Sequence, residues 1–249
     1  MDARGRRLLA LVLIFGAVLL ASCAGTETEE PRHIAIGATP LTLTAADGTV
    51  LDARIWARAG SQITIYLHEF RDDQSSWWPY AATQRASGIA ALTLDFRGHG
   101  ESEGEPVDLG GMVIDTEAAI TFARDAGYRE VMLVGAGMGG AVAIVTAATT
   151  PDITVVGLST PSEFGELTPL EHLATSRELA ARVWLLASEG DISAANSLAT
   201  FQSEAGIGVA RTRLYAGRGH GVSMLTGQEG TEARQMLEIL LNDFWVEAR

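Results

Sequence analysis

The spacing of apolar residues changes several times along this chain, and each change predicts an element. Residues 41–58 alternate apolar with polar around Asp47-Gly48, the pattern of two antiparallel strands joined by a tight turn. SQITIYLHEF (61–70) is a short apolar strand running into a loop. QSSWWPYAATQRASG (74–88) predicts a helix, with Ser75 or Ser76 as its N-cap and Gly88 as its stop. IAALTLDF (89–96) is a continuous apolar strand that breaks at RGHGES, and 112–127 carries apolar residues at helical spacing up to Gly127. REVMLVGA (129–136) is another buried strand, followed by a small-residue helix from about Met138 to Thr149.

The alternation continues. ITVVGLS (153–159) and ARVWLLAS (181–188) are buried strands separated by a polar excursion over 161–178. A helix (193–206), a strand (210–217) and a closing amphipathic helix (231–249) complete the chain. Strand and helix in turn after an opening hairpin predict an α/β fold: a mostly parallel central sheet, an antiparallel start, and helices on both faces. In such sheets the cleft lies at the carboxyl ends of the strands, so chemistry is sought in the loops there.

The N-terminus has a different character. Arg4, Arg6 and Arg7 precede an apolar run over 8–21, which is short of the roughly 20 residues that span a bilayer. This is the pattern of a signal peptide, and it stops at LASC, which resembles the bacterial lipobox with Cys23 as the lipidated residue. The alternative is an ordinary signal peptide or membrane anchor with an incidental cysteine. The lipoprotein reading divides the chain into a signal peptide (1–22), a lipidated Cys23 with an acidic tether (23–33), and one folded domain (34–249), placed outside the cytoplasm on a bacterial membrane. Cys23 is the only cysteine, which excludes an intrachain disulfide. Of 249 residues 47% are hydrophobic, enough for one sizeable core. The net charge of −13, with all 18 basic residues arginine, argues against nucleic acid as a partner, because phosphate binding needs clustered cations. The five histidines are scattered and lack metal-ligand spacing, so neither a metal nor a cofactor is expected.

Five strand-end loops carry the candidate chemistry: HEF (68–70), DFRGHGES (95–102), GAGMG (135–139), EGD (189–191) and RGHG (218–221). In this order they resemble the α/β-hydrolase superfamily, and most closely small bacterial α/β hydrolases related to dienelactone hydrolase, which have little or no cap. That resemblance implies an α/β-hydrolase fold with an open cleft for a small-molecule ligand or substrate. It implies that His220 holds the position of the general base and Asp191 that of the acid orienting it, with Glu189 as the competing acid. The backbone N–H groups of Met138 and Phe70 match the two oxyanion donors, and the chain order of nucleophile, acid and base is the superfamily's own. His68 and His99 are expected to tie loops beneath the cleft, Asp95 and Arg97 to brace a loop as an ion pair, and His33 and His172 to take no part. Glu163, Glu166 and Glu171 make the rim acidic.

Two positions depart from the pattern. Glu69 stands where most of the superfamily has glycine; a solvent-facing carboxylate is the simple expectation, since one inside the cleft would repel an oxyanion. Gly137 stands where the elbow G-x-S-x-G has its nucleophilic serine. Glycine keeps the strained turn and removes the hydroxyl, which excludes acyl transfer by the usual route. The expectation is therefore a catalytically impaired pseudo-hydrolase that binds a ligand or partner. The alternatives are that His220 with Asp191 works as a general base without a covalent intermediate, or that Ser102, Ser159 or Ser162 is a displaced nucleophile.

Overall fold

The computed structural model describes residues 34–227 and 230–247, with side chains described as far as 242. The predicted lipid site Cys23, the tether and His33 lie outside the described residues. Eight strands, β1 (Thr39–Thr44), β2 (Val50–Trp56), β3 (Gln62–Leu67), β4 (Ala90–Leu94), β5 (Glu130–Ala136), β6 (Ile153–Leu158), β7 (Val183–Ser188) and β8 (Thr212–Tyr215), form one sheet. Their order is β1-β2-β4-β3-β5-β6-β7-β8. β1 pairs antiparallel with β2, and β2 with β4, while every pair from β4 to β8 is parallel. This is the mostly parallel sheet with an antiparallel start expected from the alternating pattern, in the α/β-hydrolase arrangement that the resemblance of the loops implies.

The central strands are buried along their whole length because both faces are covered. On one face lie α2 (Leu109–Asp125), α3 (Met138–Thr149), the short α4 (Pro169–Thr175) and α5 (Arg177–Ala180), and α6 (Ile192–Glu204). They enclose a core in which Ile65 and Leu67 of β3 lie with Met112, Ile144 and Phe201. On the other face, α1 (Trp78–Ala86) and α7 (Thr231–Glu247) cover Tyr66, Val134 and Val156 with Trp77, Ala81, Leu237 and Leu241. The excursion after β6 forms only α4 and α5, so the cap is minimal.

Two local expectations are corrected. The cap before α1 is Asp73, not Ser75 or Ser76: its carboxylate accepts the Ser75 N–H at 2.8 Å and starts a 3₁₀ turn, Gln74–Trp77, that leads into α1. A cap must stand in extended backbone ahead of the first turn, and both serines already lie inside it. Asp95 and Arg97 also do not pair. A turn between them, closed by His99 N–H to Phe96 O at 3.0 Å, sends the two side chains to different neighbours. Asp95 accepts from the Gln74 and Glu101 N–H groups, while Arg97 forms a forked contact with the fully buried Asp115 of α2 (Nη2–Oδ1 2.7 Å) and reaches Asp108 and Asp47. The loop is braced to α2 rather than to itself.

Candidate active site

The elbow between β5 and α3 is a turn that only a residue at positive φ can make. Gly137 has φ 49° and ψ −115°, its N–H bonds Leu158 O at 2.8 Å, and α3 begins at the next residue. The N-terminal turn of α3 sits so close to the end of β3 that a Cβ on Gly139 would collide with Leu67 O and lie 2.6 Å from His68 O. Small residues in this helix are thus the condition for placing its N-terminus, the positive end of its dipole, at the bottom of the cleft.

From the other side of the elbow come the charged groups. His220 follows β8 and opens a 3₁₀ turn, Gly221–Leu225, fixed by Ser223 Oγ, which accepts the His220 N–H at 2.9 Å and donates to His220 O at 2.7 Å. Asp191 follows β7 and caps α6, accepting the Ala194 N–H at 3.3 Å through one carboxylate oxygen. Its other oxygen lies 2.7 Å from His220 Nδ1. The structure therefore brings Asp191 to the histidine, while Glu189 is exposed and its backbone N–H pairs with Tyr215 O.

Glu69 is the main surprise. Its side chain turns into the cleft, not to solvent, and Oε2 stands 3.5 Å from His220 Nε2. A Cβ on Gly221 would collide with that carboxylate, and one on Gly137 would lie 3.2 Å from His220 Nε2, 3.3 Å from Glu69 Cβ and 3.7 Å from Oε2. Two glycines thus leave the room that Glu69 fills. Burial pushes the Glu69 carboxyl above its ordinary range, against the opposing pull of the His220 ring and the Val222 N–H.

Beneath the cleft His68 is fully buried and spans two loops, with Nε2 accepting the Phe96 N–H at 3.0 Å and Nδ1 2.8 Å from Glu69 O. Because Nε2 accepts, Nδ1 carries the proton and donates to that carbonyl. Burial lowers the His68 pKa to about 4. His99 Nδ1 is likewise 3.0 Å from Arg97 O, and His172 sits apart on α4. Met138 and Phe70 both line a cavity of ≈ 310 Å³ with Glu69, Gly137, Phe164 and His220. Phe70 packs edge-on to Phe164, with ring centres 5.8 Å apart. Of the displaced-serine candidates, Ser102 Oγ is bound to Asp95 O at 2.7 Å. Ser162 stands on the cap loop, where its carbonyl accepts the Leu170 N–H at 3.2 Å. Ser159 also lines the cavity, buried at φ 50°, and Arg71 beside Phe70 has φ 63°. Such backbone strain in non-glycine residues gathers at functional sites, and no sequence pattern announces it here.

A family model described as serine aminopeptidase, S33, matches residues 67–187, from the end of β3 to β7. The fold is similar to that of the esterase Pf2001 of Pyrococcus furiosus, with a TM-score of 0.70, 16% identity, and 84% of this chain and 91% of that one covered. The chain has the α/β-hydrolase fold. A serine hydrolase homologue from Coxiella burnetii is similar at a TM-score of 0.61 and 15% identity, covering 80% of this chain and 95% of that one. In sequence, the uncharacterised protein YfhR of Salmonella typhi is 30% identical over 124 residues, 44% of this chain, and the chain spans only 42% of that relative. The matched family segment contains Glu69 and Gly137 but ends before Asp191 and His220.

Proposed function

We propose that this protein is a silenced hydrolase, a superfamily cleft that binds a small neutral carbonyl compound without forming an acyl-enzyme, held at a membrane by lipid on Cys23. One observation carries the reading: the elbow bears no side chain, and the group facing His220 Nε2 is the Glu69 carboxylate at 3.5 Å instead of a hydroxyl. Loss of the nucleophile from a serine triad costs about 10⁶ in kcat, leaving about 10³–10⁴ over water. What supports a place for a carbonyl oxygen is that Met138, at the first turn of α3, and Phe70 both line the cavity. Glu69 within the cleft and Glu163 and Glu166 exposed on the cap loop disfavour anionic ligands by repulsion, which points to neutral ones.

The test is fluorophosphonate labelling of the full chain in detergent, run beside a panel of small esters and lactones, with binding of the same compounds followed by thermal shift. Binding without labelling or turnover is expected. Ester turnover that His220→Ala abolishes would refute the silenced state. A second reading is favoured by the 2.7 Å contact between His220 Nδ1 and Asp191, which preserves an oriented imidazole. In that reading the cleft still moves protons, without a covalent step.

A further inference from the structure

Gly137 and Glu69 make a complementary exchange: the elbow has lost its side chain, and the loop after β3 has gained one that reaches into the same space. Glu69 Oε2 lies 3.7 Å from where a Cβ on Gly137 would stand, and His220 Nε2 lies 3.2 Å from it. The carboxylate and the imidazole thus meet over the elbow, 3.5 Å apart, and both line the cavity. The carboxylate is held there by architecture, since Gly221 at φ 52° has no Cβ to displace it and His68 binds the backbone carbonyl of Glu69 itself. Beside it are Met138 at the positive end of α3 and the apolar walls of Phe70 and Phe164.

We propose that Glu69 is a catalytic base that removes a proton from the carbon next to the carbonyl of a small neutral ketone bound in this cleft. The inference rests on the cleft holding a neutral carbonyl compound. With the carbonyl oxygen on the N–H groups of Met138 and Phe70, the adjacent carbon lies on the cavity side of Gly137, facing Oε2. The C–H bond breaks as the Oε2–H bond forms. The C–H electron pair becomes the new C=C bond, and the C=O π pair moves to the oxygen, where the two N–H donors hold the enolate. Return of the proton to the same carbon exchanges hydrogen. Return to the far end of a β,γ-unsaturated ketone gives the conjugated isomer. No water, oxidant or covalent intermediate enters. His220 is a positioning residue that faces the carboxylate and shares its proton, and Asp191 orients His220.

This assignment uses three features together: a base, an oxyanion site, and apolar walls at Phe70 and Phe164. Desolvation has raised the proton affinity of the Glu69 carboxylate, which strengthens it as a base. A neutral enone precursor also avoids the repulsion an anion would meet from Glu69.

The experiment uses the full chain in detergent with cyclohex-3-en-1-one, following absorbance of the conjugated enone and, in D₂O, deuterium uptake by NMR. Wild-type protein should isomerise the probe above buffer containing an equal concentration of free glutamate. Glu69→Gln, nearly isosteric, should lower kcat about 100-fold or more with little change in KM, and Glu69→Asp should fall between them. Gly137→Ala, which puts a methyl in the substrate's space, should raise KM. A Glu69→Gln variant as active as wild type overturns the proposal, and so does a wild-type rate no greater than that of free glutamate. Conversion of an ester that depends on Glu69, with no exchange on the ketone, also overturns it in favour of water activation. The two proposals fail separately: an inert ketone leaves the unlabelled, ligand-binding cleft standing, whereas fluorophosphonate labelling of wild type removes the silenced state whatever the ketone does.

Discussion

At φ 49° and ψ −115°, residue 137 occupies backbone space that glycine enters freely and that costs other residues about 1–3 kcal/mol. A side chain there also meets neighbours, because its Cβ would be 3.2 Å from His220 Nε2 and 3.3 Å from Glu69 Cβ, so both must yield slightly. Gly137→Ser is therefore expected to lower stability by about 1–3 kcal/mol, measured by urea unfolding. The single variant should remain a poor esterase, since Glu69 competes with the new hydroxyl for His220. Adding Glu69→Gly should release that competition and raise fluorophosphonate labelling at least about 10-fold over the single variant. Equal labelling of the two variants would show that Glu69 does not stand in the way. Position 137 was legible in the sequence because the G-x-S-x-G frame is local. The direction of Glu69 was not, because the space it takes is left by Gly221, which lies 152 residues further along the chain.

Between elements, the ends of β3 and β4 are joined by one imidazole. His68 accepts from Phe96 and donates to Glu69, and it is fully buried, so its neutral form belongs to the folded state. Its pKa is about 4 in the fold against 6.5 for the free side chain, so the unfolded chain binds the proton more readily. The stability this contributes is complete above about pH 6.5 and is lost as pH falls from there towards 4, by up to about 3 kcal/mol. Urea midpoints for wild type and His68→Asn at pH 7.5 and 5 should show a steeper acid-side loss for wild type; parallel losses would count against it. At this scale the order of strands and helices was legible, since periodicity and glycine stops are set by neighbouring residues. The partners of Arg97 were not. Asp115 lies on α2, and the packing of that helix against the sheet brings it to the arginine.

At the scale of the whole molecule, the proposed lipid anchor bears on where the domain is held. Lipid on Cys23 would hold the domain at a membrane surface and confine it to ligands that reach that compartment. Cys23→Ser should abolish lipid attachment, seen as loss of the lipid-linked mass on the N-terminal peptide, and should move the protein from the membrane to the soluble fraction. Unchanged partition with no lipid on the wild type would refute the anchor. The sequence by itself determined the sheet-and-helix succession, the hairpin at Asp47-Gly48, the vacant elbow at Gly137 and the strand-end loops, because all of these follow from backbone preferences and hydrophobic spacing over a few residues. Sequence had put Asp191 ahead of Glu189, and the fold brings it to His220; tertiary structure alone decided that Arg97 braces α2 and that Glu69 enters the cleft. A long charged side chain on a loop has several rotamers of similar intrinsic energy, and it takes the one for which distant parts of the fold leave room and supply an opposite charge.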